Sequence, residues 1–223
     1  MIDLHCHILP GVDDGAKDIE IALDMLEAEK ENGVSDVVLT PHFYFEEERP
    51  SKFIEKTRAS YECLKSQTKG KDFPNLYLGA EVLFTPSLAS IDLKPFCIEN
   101  TDYMLLELPY KKLNDRFLTE LRNFIDSVDV NIIIAHVERY LNFTSEESVL
   151  EVMSMNVLNQ INCTSFLKMS AMRKKLVKWI SNEMVHFLGT DAHNLVSRPV
   201  CLKQAYDYIE KKVPNNSLME NSA

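Results

Sequence analysis

Short apolar runs alternate with amphipathic stretches along the whole chain. Ile2, Leu4 and Cys6 alternate with Asp3, His5 and His7, the period-two pattern of a half-buried strand. Residues 18–32 place Ile19, Leu23 and Leu26 on one helical face, with Asp18 suited to cap the start and Gly33 to stop it. Val37 to Thr40 predicts a second strand ending at Pro41-His42, followed by a charged helix from about Ser51 to Lys69. Leu76 to Glu81 reads as a third strand, and Thr85 to Ile91 as a short helix or turn. The stretches Tyr103 to Leu108, Asn131 to His136, Val157 to Cys163 and Val185 to Asp191 complete the strands. Further helices are expected over about 116–128, 145–155, 171–182 and 200–212.

Apolar strands alternating with helices imply an α/β protein with a parallel sheet and helices outside. No repeat or linker divides the chain, so residues 1–223 are expected to form a single domain. The polar residues decide how the sheet closes. His7, His42, Glu81, Glu107, His136 and Asp191 all fall at the C-terminal end of a strand or just beyond it. A barrel gathers those ends at one mouth. An open sheet would spread them at about 4.8 Å per strand, too wide for one site. A closed or distorted barrel is therefore expected.

Composition narrows the function. The chain has 223 residues, is 45% hydrophobic and carries a net charge of −10, which argues against a general nucleic-acid-binding surface. No apolar run approaches the roughly 18 residues of a membrane span, and no basic-then-apolar leader opens the chain. Five scattered cysteines do not form a recognisable disulfide framework, and none is followed six residues later by arginine as in cysteine phosphatases. The cytoplasm is the expected compartment.

Five of the six histidines, His5, His7, His42, His136 and His193, lie at strand ends, whereas His186 sits inside a strand with opposite parity and reads as a packing residue. His5-Cys-His7 and Asp191-Ala-His193 share a one-residue spacing that points both members of each pair the same way on a strand. A lone His-x-His is a weak sign of metal, and a lone strand-end Glu is usually a solvated rim charge. Here the imidazoles are joined by Glu81, Glu107 and Asp191, and by Asp13 or Asp14, which spacing does not separate. Five imidazoles and four carboxylates exceed the needs of one ion and suit two or three. Three divalent ions against four carboxylates leave a centre of about +2, attractive to a phosphate dianion. Arg139 and Arg198 lie on loops at the same mouth, where a surface salt bridge is the plain alternative to phosphate binding. Phe43, Tyr44, Phe45, Tyr110 and Tyr140 either line a phenyl-ring pocket or pack.

His-x-His, Pro-His42, Gly-x-Glu81, Glu107, Ala-His136-x-Glu-Arg139 and Asp191-x-His193-Asn resemble the polymerase and histidinol phosphatase (PHP) superfamily. Within it, the loop from His7 to Gly15, His-Val-Glu-Arg-Tyr, and Asp-Ala-His-Asn with the following Arg-Pro look like the bacterial CpsB/CapC-type protein-tyrosine phosphatases. The resemblance implies a distorted (β/α)7 barrel with a trinuclear site, commonly manganese and sometimes iron or zinc. It implies His5, His7, Asp14, His42, Glu81, Glu107, His136, Asp191 and His193 as ligands, choosing Asp14 over Asp13, and places Arg139 and Arg198 at the phosphate. The implied partner is a phosphotyrosine-bearing protein, the tail of a tyrosine autokinase that controls capsule or exopolysaccharide polymerisation. The expected reaction is hydrolysis of phosphotyrosine by a metal-activated water. Another PHP phosphoesterase activity, on histidinol phosphate or a diester, and non-catalytic docking on a kinase tail are the alternatives. The polar tail from Asn215 to Ala223 stops where such relatives continue through a further helix.

Overall fold

In the computed structural model, which describes residues 1–167 and 171–214 with Asn216 and Leu218, every described strand pairs in parallel. β1 (Ile2–Cys6) pairs with β2 (Asp36–Leu39), and β2 with β4 (Asn75–Leu78). β3 (His42–Phe43) continues the line of β2 beyond Pro41, and β5 (Glu81–Leu83) continues β4 beyond Ala80. Backbone bonds from Gly79 N–H to Leu39 O (2.9 Å) and from Glu81 N–H to Pro41 O (3.0 Å) span the interruption. The order then runs through β6 (Tyr103–Glu107), β7 (Asn131–Ile134), β8 (Leu158–Asn162) and β9 (Phe187–Gly189). Just past β9, Asp191 N–H reaches His5 O at 2.7 Å and His7 N–H reaches Ala192 O at 2.9 Å. This seam joins the last strand to the first, so the curled sheet is the distorted seven-stave barrel expected from the sequence.

The helices cover the outside. α1 (Ile19–Glu31) starts where the Asp18 side chain accepts from Ile21 N–H at 2.9 Å. α2 (Pro50–Thr68), α3 (Asp115–Ser127), α4 (Glu146–Met153), α5 (Ala171–Ser181) and α6 (Leu202–Lys212) follow within a few residues of the expected bounds. The crossover from β5 to β6 is made by two 3-10 turns, Pro86–Ser90 and Lys94–Phe96, each carrying proline in its first turn.

Strand parity divides the core. Outward side chains such as Cys6, Val37, Leu39, Val82, Leu106 and Ile134 pack with the helices. Inward ones, Val38, Leu105, Ile133 and Ala135, with Leu4, Tyr77, Leu158 and Phe187, fill the lower barrel. The same inward parity carries Glu81, Glu107 and Gln160 to the upper end.

Two details differ from the sequence reading. β1 does not alternate throughout, because its register shifts between Asp3 and Cys6. Leu4 joins the inner cluster, while Asp3 turns outward to Thr190 and to Glu29 of α1. Burial raises the pKa of both carboxyls, and for Glu29 the neighbouring Asp3 charge adds to the rise. The bulge leaves His5 and His7 on the mouth side and Cys6 in the wall, its thiol directed at Val38 O. Against the expectation from their spacing, two of the cysteines pair. Cys163, after β8, and Cys201, before α6, are joined as a disulfide, because the fold sets those two turns side by side. Position 38 residues apart in sequence hid that proximity. His186 bonds the backbone as a packing residue, with Nδ1 accepting from Asn159 N–H at 3.0 Å. Of the tail from Asn215 to Ala223, all but Asn216 and Leu218 lie outside the described residues.

Candidate metal centre

The loop after β1 folds back tightly. A Cβ on Gly15 would stand 1.9 Å from His7 O, so only glycine permits this return. The two acids of the loop separate. Asp13 sits behind the imidazoles, 2.8 Å from His7 Nδ1, accepting also from the backbone N–H of Gly15 (3.0 Å) and His42 (3.1 Å). Burial works against its charge, but these partners win and hold the carboxyl well below its usual range. Asp14 reaches forward, with Oδ1 3.4 Å from His42 Nε2 and 3.3 Å from His193 Nε2.

Glu81 is the hub. Its Oε2 lies 3.2 Å from His5 Nε2, 3.3 Å from His7 Nε2 and 2.9 Å from His42 Nδ1, and its Oε1 lies 2.8 Å from His136 Nε2. Glu107 stands 3.6 Å from His136 Nε2. His136 follows inward-facing Ala135, so a regular strand would send it outward. A left-handed backbone, φ 31°, turns it into the mouth instead. Asp191 also takes positive φ, 51°, and places Oδ1 at 3.4–3.6 Å from His5, His7 and His193.

All nine expected ligands therefore converge. Seven of them form three overlapping groups, His7–Asp14–His42–His193, His5–His7–Glu81 and His42–Glu81–Glu107, with the donor atoms within each group no more than 4.8 Å apart, and His136 and Asp191 adjoin these through Glu81, His5 and His7. Glu81 Oε2, His42 Nδ1 and His193 Nε2 are buried without an aligned hydrogen bond, despite the short distances between Glu81 and His42. Buried lone pairs facing one another are costly unless a cation accepts them, and imidazole and carboxylate suit divalent transition ions. The residues fit such a group. Protonation reflects the same crowding. Burial favours neutral imidazole at His5 and His7, but Glu81, Asp191 and, for His7, Asp13 outweigh it and raise both. Burial and the neighbouring His7 bring His193 down to about 3. Burial and the Glu81 charge push Glu107 up to about 7.

Arg139 and Arg198 both lie at the mouth, and both pair with Asp191, Arg198 at 2.7 Å. Arg139 also donates to the Tyr110 hydroxyl at 3.4 Å. With His42, Tyr44, Glu107 and Tyr110 they line a cavity of about 610 Å³. The five aromatic candidates divide. Phe43 is buried against Phe53 and Phe96, Phe45 packs on the core, and the buried Tyr140 hydroxyl accepts from Leu108 N–H at 2.7 Å. Only Tyr44, stacked on His42, and Tyr110, stacked on His136, reach the cavity.

Among the buried polar residues that the sequence pattern did not mark are Gln160 and Asn162 on β8, and Glu138 beside Arg139. Two amides of equal parity on an otherwise buried strand were the available signal. Glu138 accepts from Asn162 N–H (3.2 Å) and the Ser165 hydroxyl (2.9 Å), and burial pushes it up to about 7. A raised folded-state value means stability is full below the unfolded value of about 4.3 and declines as pH rises through about 7. Denaturant titrations are expected to show that decline, on the order of 3 kcal/mol, and Glu138→Gln should flatten it.

Residues 1–221 match the family described as capsular polysaccharide synthesis, CpsB/CapC. The chain is 32% identical over 214 residues to CapC of Staphylococcus aureus, covering 93% of this chain and 82% of that protein. It is 30% identical over 241 residues to the tyrosine-protein phosphatase CpsB of Streptococcus agalactiae, covering 100% and 96%. The fold matches a chain from the crystal structures of YwqE from Bacillus subtilis and CpsB from Streptococcus pneumoniae, unique metal-dependent tyrosine phosphatases. That match has a TM-score of 0.83 at 24% identity, covering 100% of this chain and 92% of the other. A histidinol phosphate phosphatase from Lactococcus lactis, crystallised with zinc, L-histidinol and phosphate, shares the fold at TM-score 0.62 and 16% identity, covering 96% and 93%. Among the described residues, no helix is long and apolar enough to cross a membrane.

Proposed function

Because the chain belongs to the CpsB/CapC family, we propose that it is a metal-dependent protein-tyrosine phosphatase, one catalytic domain over residues 1–223 acting in the cytoplasm. The observation that carries this reading is the convergence of nine imidazole and carboxylate side chains at a mouth that two arginines and two tyrosines also line. His5, His7, Asp14, His42, Glu81, Glu107, His136, Asp191 and His193 would hold two or three divalent ions, with His7, His42 and Glu81 shared between groups. Manganese is the proposed metal, with iron and zinc as other candidates. Such ions supply an activated water and neutralise charge during in-line displacement at phosphorus.

The protein groups do the rest. Asp191 cannot hold a cation and both guanidiniums fully at once. With its oxygens committed to the centre, Arg139 and Arg198 are left to bind the equatorial phosphate oxygens. Tyr44 and Tyr110, which both line the cavity, offer flat apolar faces to the phenyl ring. The leaving phenolate, with a pKa of about 10, needs less protonation than an alkoxide, and an activated water as nucleophile leaves no cysteine required. The proposed substrate is the phosphotyrosine tail of an autokinase in capsule or exopolysaccharide synthesis.

Rates on a phosphotyrosine peptide, histidinol phosphate and a phosphodiester test this assignment. The peptide is expected to be hydrolysed fastest by at least tenfold. Preference for histidinol phosphate would move the chain to the other phosphatase branch. Metal binding with no hydrolysis of any of the three would favour a docking protein.

A further inference from the structure

We propose that Gln160 is a positioning residue that fixes His5 as the Nδ1–H tautomer and, through Asn162, orients Asp191; the role rests on the metal-centre reading above. Gln160 and Asn162 project from β8 into the barrel beneath the mouth, and both are fully buried. The orientation of the Gln160 amide follows from one backbone group. His136 N–H can only donate, and it lies 2.7 Å from Gln160, so the atom facing it is the carbonyl oxygen Oε1. The same oxygen stands 3.3 Å from His5 Nδ1, which must therefore carry the proton. His5 Nε2 is left with its lone pair toward His7, Glu81 and Asp191.

The other end of the amide continues the relay. Gln160 Nε2 donates to Asn162 Oδ1 at 2.9 Å, which obliges Asn162 Nδ2 to donate to Asp191 Oδ2, also at 2.9 Å. Asn162 is itself steadied by its N–H bond to Glu138. One oriented chain thus runs from His136 and His5 to Asp191, three of the nine converging residues. The neighbouring strand β9 makes room for it. A Cβ on Gly189 would stand 2.7 Å from His5 Cβ and 2.8 Å from Gln160 Nε2. A neutral amide does for His5 what the Asp13 carboxylate does for His7, without adding negative charge near Glu81.

Two measurements on the full chain test the role. The first is manganese affinity by competition with a chromogenic chelator, for wild type, Q160L and Q160E. Q160L is expected to bind about 10–100-fold more weakly. Q160E keeps the acceptor for His5 and His136 while giving up the donor to Asn162 and adding a charge near Glu81, and should lose less than Q160L. The second is the His5 tautomer in the metal-stripped wild type at alkaline pH, read from imidazole nitrogen shifts, and it needs no variant to fold. A proton on Nδ1 is expected. A proton on Nε2, or Q160L affinity equal to wild type, would overturn the role while leaving the metal centre intact. A wild type that binds no manganese would overturn the underlying reading, and this role with it.

Discussion

Glu81→Gln is expected to reduce phosphatase turnover by at least about a thousandfold and to lower the metal content of the purified protein. The reason is position. Glu81 alone faces four of the five mouth imidazoles, those of His5, His7, His42 and His136. It also belongs to two of the three donor groups. Its pKa is held well below normal against full burial, because His5, His136 and His42 stabilise the charge. Glutamine keeps the volume but removes the charge and presents an NH2 group to imidazole nitrogens meant for a cation. The substitution should leave the barrel folded, since Glu81 contributes its side chain to the mouth and only its backbone to the sheet. Turnover and metal content both at wild-type levels would show that Glu81 is not a ligand.

The second large effect is expected at Arg139. Arg139→Ala should lower kcat/KM for a phosphotyrosine peptide by roughly 10²–10³-fold with metal content retained. Arg139→Lys should recover little, because an ammonium cannot bridge two phosphate oxygens as a planar guanidinium does. Arg139 also contacts Tyr110, so its loss frees one wall of the proposed ring pocket. A drop in metal content equal to the loss of activity would instead place Arg139 in support of Asp191. The same comparison at Arg198, which approaches both Asp191 and Asp14, should give a smaller but parallel loss.

Much of this arrangement was legible in the chain. Strand ends bearing His42, Glu81, Glu107 and His136 implied one mouth, and the barrel supplies it. What the pattern did not carry depends on local backbone geometry or on long-range proximity. The bulge in β1 turns Asp3 out of the line it shares by parity with His5. His136 reaches the mouth through positive φ, which no alternation rule anticipates. Asp13 and Asp14 are adjacent in sequence, yet only the folded loop sends one behind His7 and the other toward His42 and His193. The aromatic candidates were separable only once Phe43 and Tyr140 could be seen packed inside. Gln160 and Asn162 carry no ligand mark in the sequence, because amides seldom ligate transition ions; their part is to orient the groups around them. The Cys163–Cys201 bond closes the segment bearing Asp191, His193 and Arg198, a pairing set by the fold and not by spacing.

Phosphate release from a phosphotyrosine peptide by the intact protein, before chelation, after chelation and with manganese restored, tests the central claim most directly. Activity that disappears with the metal and returns with it is the predicted result. Turnover that survives complete removal of bound metal would contradict it.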